Sequence, residues 1–508
     1  MNTKKIGLGA LVLMLFTTIF GFGNGPVAFY QMGLSGIIWY ILGAVLFFLP
    51  TSMMYAEYGA SYKGVKGGLY SWMEEALGQK WAFIATFIGL ASWVIWMVST
   101  ASKIWVAGSN MVFDHDETSK LSFLGLDSNA TLGLLAVLWV VVVAFLVTRG
   151  VKSVSRVASL GGLAVMAMNV ILVIASVVIL FANGGDMAEP VNGLSTFTNS
   201  PNPQFQNPIG LISFALFAIF AYGGLEQSSG VMDSVKDPEK TYPKAVIIAT
   251  IVIGIGYSLA IFLWGVAANY SKDILGNGDA NLGNITYILM NNLGVKFGDA
   301  IGLSSSASSA IGSGLARFTG LGMTLAYAGS FFVLSYAPIK AFILGTPKKL
   351  WPSFLTKLNK AEIPAGAVWL QAGIVILFIL GVAFTGGKGG DSSSLFAILT
   401  NMANVAVTLP YVFLIFAFPL FKNLKNVPRP FVFYKNKTVW TIVTWVVLAL
   451  VVTAIVVTII EPVLGFAEVD GVMTRKNDYV SAFWTIAGPV LFGVIAWIFY
   501  AVSERRTK

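Results

Sequence analysis

The sequence predicts an all-α, polytopic membrane protein of about twelve spanning helices, on three observations: an apolar composition, regularly spaced apolar runs, and an uneven distribution of Lys and Arg between alternate loops. Of the 508 residues, 56% are hydrophobic and only 11% charged, with a mean hydropathy of +0.78. A chain so poor in charge cannot cover a water-facing surface, so lipid is its solvent. The net charge of +9 comes from basic residues scattered through short loops, without the stripe that a nucleic-acid partner requires.

Apolar runs long enough to cross a bilayer lie near 6–30, 36–57, 81–112, 131–150, 156–182 and 208–232, then near 244–268, 318–345, 365–385, 394–421, 438–461 and 481–502. The first follows Lys4 and Lys5, as the apolar part of a signal peptide does. No small-residue cleavage site succeeds it, so it is read as the first span. An even number of spans puts both termini on one side. With that count, loops and tails on the side of the termini hold 24 of the 32 Lys and Arg, the opposite loops hold seven, and Lys103 falls inside a span. Basic residues favour the cytoplasmic side, which places both termini there. The loop 113–130 is acidic through Asp114, Asp116, Glu117 and Asp127 and is assigned outside.

Several chemistries are excluded. Cysteine is absent and histidine occurs once, at His115, which rules out disulfides and leaves nothing for a zinc cluster, haem attachment or a Cys- or His-based catalytic dyad. No cofactor is expected. There is no GxxxxGK[ST] motif to bind ATP, and neither an intramembrane Asp pair nor a Ser/His arrangement that would make the chain an enzyme.

Two spans are interrupted. In the first, Phe20-Gly21-Phe22-Gly23-Asn24-Gly25-Pro26 breaks a helix that begins near Ile6, about 22 Å deep at 1.5 Å per residue. In the sixth, Ala221-Tyr222-Gly223-Gly224-Leu225-Glu226 follows about 14 residues after the helix begins near Ile209, from the opposite side. Glycine costs about 1 kcal/mol in a helix and proline about 3, whereas Pro26 suits the first turn of a restarted helix. Unwound backbone is the expected result, and the two breaks should meet near mid-bilayer.

Freed backbone groups survive at that depth only inside protein or beside a watery cavity. A half-helix N-terminus attracts a carboxylate and the carbonyls of a half-helix C-terminus attract an ammonium, so the pair suits an α-amino acid. Spans one and six occupy matching positions in two five-span halves of opposite orientation, the pattern of inverted-repeat transporters. The competing reading is that these glycines only allow close helix packing.

These residues resemble the amino acid–polyamine–organocation superfamily, and within it the glutamate:GABA antiporter branch, most closely a group of inner-membrane transporters. The resemblance runs over nearly the whole chain. It rests on the first break, on Ala56-Glu57-Tyr58-Gly59-Ala60 through Gly67-Gly68-Leu69-Tyr70-Ser71-Trp72, and on Phe220-Ala221-Tyr222-Gly223-Gly224-Leu225-Glu226 followed by Lys236-Asp237-Pro238-Glu239-Lys240. Gly345-Thr346-Pro347-Lys348-Lys349-Leu350-Trp351-Pro352 and Ile363-Pro364 extend it.

The resemblance implies a single transporter domain in a bacterial inner membrane. Its five-helix repeats would lie at 6–182 and 208–421, with two further helices at 438–502, and it would carry amino acids or related amines by exchange through alternating access. Gly21, Gly23, Asn24 and Gly25 would face the substrate carboxylate, with N–H groups offered by Gly23, Asn24 and Gly25. Carbonyls near Ala221, Tyr222, Gly223 and Gly224 would take the amine, and Phe220 and Tyr222 stand where relatives place aromatic gates. One departure is plain: span five has no lysine in its apolar part, where some proton-coupled relatives carry one. That argues against coupling by that route. Proton symport by another route, a channel and a transporter-like sensor are the alternatives, and a homo-oligomer is compatible with the sequence without being specified by it.

The charged and aromatic candidates divide. Glu226 follows the sixth-span break, where an ionised acid costs roughly 2.5–3.5 kcal/mol at mid-bilayer. It is either a gate, proton site or counter-charge, or a structural carboxylate receiving backbone N–H groups. Lys103 could pair with substrate or with Glu226, or snorkel to the outer interface. Glu57 and Asp233, near inner helix ends, read as solvated or loop-pinning. Trp93 and Trp96 share a helical face and either border the cavity or pack. His115 reads as exposed, and Ser304 to Ser309 as an outer loop or short helix.

Overall fold

A computed structural model describes residues 5–62, 69–150, 154–226, 228, 235–336, 338–339, 343, 351–386, 392–469 and 472–507. Among them nine helical stretches are long and apolar enough to cross a membrane, and Leu8–Ile19 and Pro208–Ala221 are shorter apolar helices. The latter two are the first halves of the interrupted spans. Asp233 and the quoted motif residues at 67–68 and 345–350 lie outside the described residues.

Span one is Leu8–Ile19 followed by Asn24–Met32, and its chain continues through Gly33–Ser35 into span two, which reaches Ser61. Span three is longer than the sequence implied. It begins at Leu69, is kinked at Gly78 (φ 77°) and runs to Ala101, then resumes as Lys103–Phe113. Spans four and five are Ser128–Arg149 and Val154–Ala182. Span six begins as Pro208–Ala221, span seven is Pro238–Ala267, and spans nine to twelve are Ala365–Thr385, Ser392–Asn423, Lys437–Leu464 and Tyr479–Thr507.

Span eight starts earlier than the apolar run placed it. The helix is Ser305–Leu334, so the serine-rich stretch is its first turn, capped by the Ser304 hydroxyl accepting the Ala307 N–H. Serines at a helix start satisfy backbone donors that have no intrahelical partner, and hydropathy does not register that role. Asp127 and Asn207 cap Ser128–Arg149 and Pro208–Ala221 in the same way. The segment between spans seven and eight also carries a helix outside the apolar runs, Ile285–Ala300. It packs on span eight through glycine-to-glycine contact: a Cβ at Gly294 would lie 2.7 Å from the Gly312 Cα. Small residues permit such backbone approach between helices in lipid. A short antiparallel hairpin, Phe466–Val469 with Val472–Arg475, joins the last two spans.

At the C-terminal end of span two, Glu57 is fully buried and pins the segment after span ten. Its carboxylate accepts from Lys422 Nζ at 2.7 Å and from the N–H groups of Phe433 and Tyr434 at 3.0 and 2.8 Å. Lys422 also donates to the Tyr434 carbonyl at 2.8 Å. Three donors meet the carboxylate and two acceptors meet the ammonium, so the buried ion pair is hydrogen-bonded on both sides, the condition under which such a pair is tolerated.

Candidate functional site

Glycine and the freed ends of two helices build the site. Leu8–Ile19 ends as Phe20 turns extended, and the chain re-forms a helix at Asn24 with Gly23 as its cap. The Asn24 N–H reaches the Gly21 carbonyl at 3.1 Å and the Val27 N–H the Gly23 carbonyl at 3.2 Å, while the N–H groups of Gly23 and Gly25 carry no backbone hydrogen bond among the described residues. In span six the helix stops at Ala221, and Tyr222 and Gly223 N–H groups close tight turns on the Ile219 and Phe220 carbonyls. Gly224 then adopts φ +120°, which strains any side-chain-bearing residue.

The breaks abut. A Cβ on Gly224 would lie 3.3 Å from the Thr18 carbonyl oxygen at the end of the first half-helix. One side chain from span seven ties them together. The Tyr257 hydroxyl accepts the Gly21 N–H at 2.9 Å and the Asn24 amide at 3.0 Å, and its single proton faces the carbonyls of Ile19 at 2.8 Å and Ala221 at 3.0 Å. A hydroxyl has two acceptor lone pairs and one donor, so all its capacity is used at the junction of the two half-helices. Phe20 stacks on the same ring at 4.5 Å. The sequence reading passed over Tyr257; its one signal is a polar tip amid the apolar run Ile253 to Leu263.

Glu226 takes backbone and phenol donors on the far side of the break. Its Oε2 accepts the Gly224 N–H at 3.0 Å and a short hydrogen bond from the Tyr411 hydroxyl of span ten, and Tyr411 Oη also lies 2.9 Å from the Gly224 nitrogen. No cation pairs with this carboxylate among the described residues. Lys103 stands at the restart of span three beside Ser102, half-buried and bonded neither to Glu226 nor to another acid among the described residues. Tyr222 is fully buried with its hydroxyl donating to the Tyr40 carbonyl at 2.9 Å and its ring stacked on Phe48, so its side chain is turned onto span two. Phe220 is half-buried and stacks on Phe217. Trp93 and Trp96 are half-buried against the core.

Span one is held at both ends. On the side of the N-terminus, Ile6 bridges Val235 and its carbonyl accepts the Lys236 N–H at 2.9 Å. At the other end the Tyr270 hydroxyl donates to the Tyr30 carbonyl at 2.7 Å, and the Tyr30 hydroxyl to the Ala280 carbonyl at 3.2 Å. Nearby, Asn284 donates to Asp116 at 3.3 Å. His115 is exposed, as expected, but partnered: its ring nitrogens lie 2.9 Å from Asp114 Oδ1 and 2.5 Å from Glu117 Oε1. Both contacts favour the imidazolium and hold the His115 pKa above its ordinary value.

The family model for amino acid permeases matches residues 6–492, and the chain belongs to that family. It is 49% identical over 504 residues, 99% of this chain and 97% of the relative, to the inner membrane transporter YjeM of Salmonella typhimurium. It is 24% identical over 531 residues, 100% and 97%, to the aspartate/glutamate permease AcaP of Lactococcus lactis subsp. cremoris. A glutamate/gamma-aminobutyrate antiporter of Lactococcus lactis subsp. lactis is 23% identical over 445 residues, 85% of this chain and 79% of the relative.

Proposed function

We propose that this permease is a secondary active transporter that carries amino acids or related amines across a bacterial inner membrane by exchange, alternating the access of one site between the broken helices. The observation that carries the reading is the meeting of the two breaks at Tyr257, where one hydroxyl touches the end of each first half-helix. The N–H groups of Gly23 and Gly25, without a backbone hydrogen bond among the described residues, supply positive potential at a helix start for the substrate carboxylate, with Asn24 and Gly21 shaping the turn. Unwound backbone from Ala221 through Gly224 supplies carbonyl oxygens for the amine, and Phe220 closes over the substrate. The backbone of Tyr222 contributes, while its ring braces span two.

Two repeats at 6–182 and 208–421 rock against each other in this scheme, followed by the helices at 438–502, with both termini cytoplasmic. Latches at Ile6–Lys236 and at Tyr30–Tyr270 open alternately. Relatives named as permeases or antiporters for acidic amino acids and aminobutyrate support both the substrate class and the exchange step. A second reading, proton symport, draws on one observation: among the described residues the Glu226 carboxylate is held by uncharged donors only, so a proton can take the role of a cation there. Lys103 and Trp96, on span three, are gating or coupling residues in either scheme.

Counterflow tests the reading. Liposomes loaded with one unlabelled amino acid or amine should accumulate a trace of the same labelled compound. Accumulation that requires internal substrate supports exchange, and uptake into empty vesicles driven by a pH gradient supports symport. Linear, non-saturating flux would replace the carrier with a channel.

A further inference from the structure

Span ten carries a row of buried polar groups that have no partner among the described residues. Thr400, Asn404 and Thr408 are 5%, 2% and 1% exposed, and Thr400 Oγ1, Asn404 Oδ1 and Thr408 Oγ1 have no hydrogen-bond partner. Threonine on a buried helix ordinarily donates to the carbonyl four residues back, as Thr51, Thr250, Thr319 and Thr444 do here. Thr400 and Thr408 leave that bond unmade. Thr131 and Thr458 on other spans share the feature singly, whereas the three groups on span ten recur every four residues and so form one stripe along a helix face.

That face looks at the break in span six. A Cβ on Gly223 would lie 3.3 Å from Val407 Cγ1 and 3.5 Å from Tyr411 Oη, and residues 404, 407, 408 and 411 share one side of a helix. Tyr55 of span two, 6.0 Å from the Tyr411 ring, adds a further buried hydroxyl without a partner. A buried polar group left unmatched is costly, so such a row marks a place where a ligand supplies the missing partners. From Thr400 to Thr408 the row spans roughly 12 Å at 1.5 Å per residue. That is too long for a single bound cation and suited to an extended side chain leaving the amine and carboxylate at the broken helices.

We propose that the stripe Thr400–Asn404–Thr408 is the side-chain subsite, and that it selects amino acids whose side chains end in N–H donors, as amides, ammonium or guanidinium groups. The inference rests on the amino-acid transport reading and deepens it. Asn404 Oδ1 is an acceptor, the hydroxyls accept as well as donate, and the one formal charge beside the stripe is the Glu226 carboxylate, bound through Tyr411 with no neutralising cation among the described residues. A donor-ended side chain satisfies these acceptors. An acidic side chain can accept from the two hydroxyls but opposes the Asn404 oxygen and meets the like charge of Glu226, and an aliphatic one leaves the row unmatched.

The test is a counterflow panel with glutamine, lysine and arginine set against leucine, alanine, glutamate and aspartate. Donor-ended compounds should exceed the others by at least about tenfold, the factor that corresponds to one good hydrogen bond. Asn404→Leu and the isosteric Thr408→Val should each reduce the glutamine-to-alanine ratio while folded yield is retained. Should Asn404→Leu fail to fold, Thr408→Val alone carries the comparison. Equal or better counterflow of acidic or aliphatic compounds overturns the subsite and leaves amino-acid transport standing; a ratio unmoved by Thr408→Val does the same. Counterflow by no amino acid, in correctly folded protein, overturns both.

Discussion

The Tyr257 hydroxyl accepts the N–H of Gly21 across 236 residues of sequence, at 2.9 Å, and so fastens the break in span one to span seven. Because the same oxygen faces the carbonyls of Ile19 and Ala221, its proton has two acceptors, one on each broken helix. Tyr257→Phe keeps the ring that stacks on Phe20 but strands these groups, at about 1–3 kcal/mol for each that finds no water. The expected outcome is a melting temperature in detergent lowered by several degrees and counterflow reduced at least about tenfold. Wild-type rates in Tyr257→Phe would show the tie to be dispensable for transport.

Glu226→Gln keeps the shape of the carboxylate and removes its charge. Since Glu226 is held by Gly224 and Tyr411 and by no cation among the described residues, folded yield should be close to wild type and counterflow should fail. Normal flux would remove the acid from the mechanism and leave it a structural acceptor.

Gly224 sits at a backbone conformation that resists a side chain. At φ +120°, Gly224→Ala strains the chain by about 1–3 kcal/mol and brings a methyl group to 3.3 Å from the Thr18 carbonyl. Transport should be lost. Gly373→Ala, in span nine, meets nothing within 4 Å, and in a helix interior the change gains about 1 kcal/mol or less. Thermal stability measured side by side should fall in the first and hold or rise in the second.

Removal of one partner from the Glu57–Lys422 pair leaves a buried charge alone, with their side chains 1% and 5% exposed. Glu57→Gln or Lys422→Met should each cost about 3–5 kcal/mol, seen as lost folded yield, and the double substitution should recover part of it. An additive double variant would show that the loop carrying Tyr434 does not depend on the pair.

As the sole histidine, His115 gives a single imidazole signal. Hydrogen bonds donated to Asp114, then Glu117, raise its pKa, so an NMR titration should place the midpoint above the ordinary 6.5. The sign follows: the stability this raised pKa contributes is full below the unfolded value and disappears as pH rises through the folded one. A midpoint at or below 6.5 would mean that the two carboxylates do not hold the ring in solution.

Glycine and proline made the two breaks legible, because both disrupt helices through their own backbone and need no partner. Their matched depth makes the meeting of span one with span six readable from the sequence. Tyr257 could not be found in that way, since one tyrosine in an apolar span resembles any amphipathic packing residue until the groups opposite it are known. The same holds for Thr400, Asn404 and Thr408: threonine in a helix usually bonds its own carbonyl, and only the structure shows that these do not. Span eight was misplaced because capping serines and packing glycines lower hydropathy without ending a helix. Ile285–Ala300 was missed because its apolar residues are interrupted by Asn291, Asn292, Lys296 and Asp299 and make no long apolar run.

The most direct measurement uses the absence of native cysteine. Gly23→Cys introduces one thiol where an added Cβ has its nearest neighbours at 3.8 and 3.9 Å, Thr286 and Met323. Alkylation of that thiol by a small maleimide should slow several-fold in the presence of whichever amino acid gives counterflow, and stay unchanged with amino acids that do not. A transported compound that leaves the rate at position 23 unaltered would contradict a substrate site between the broken helices.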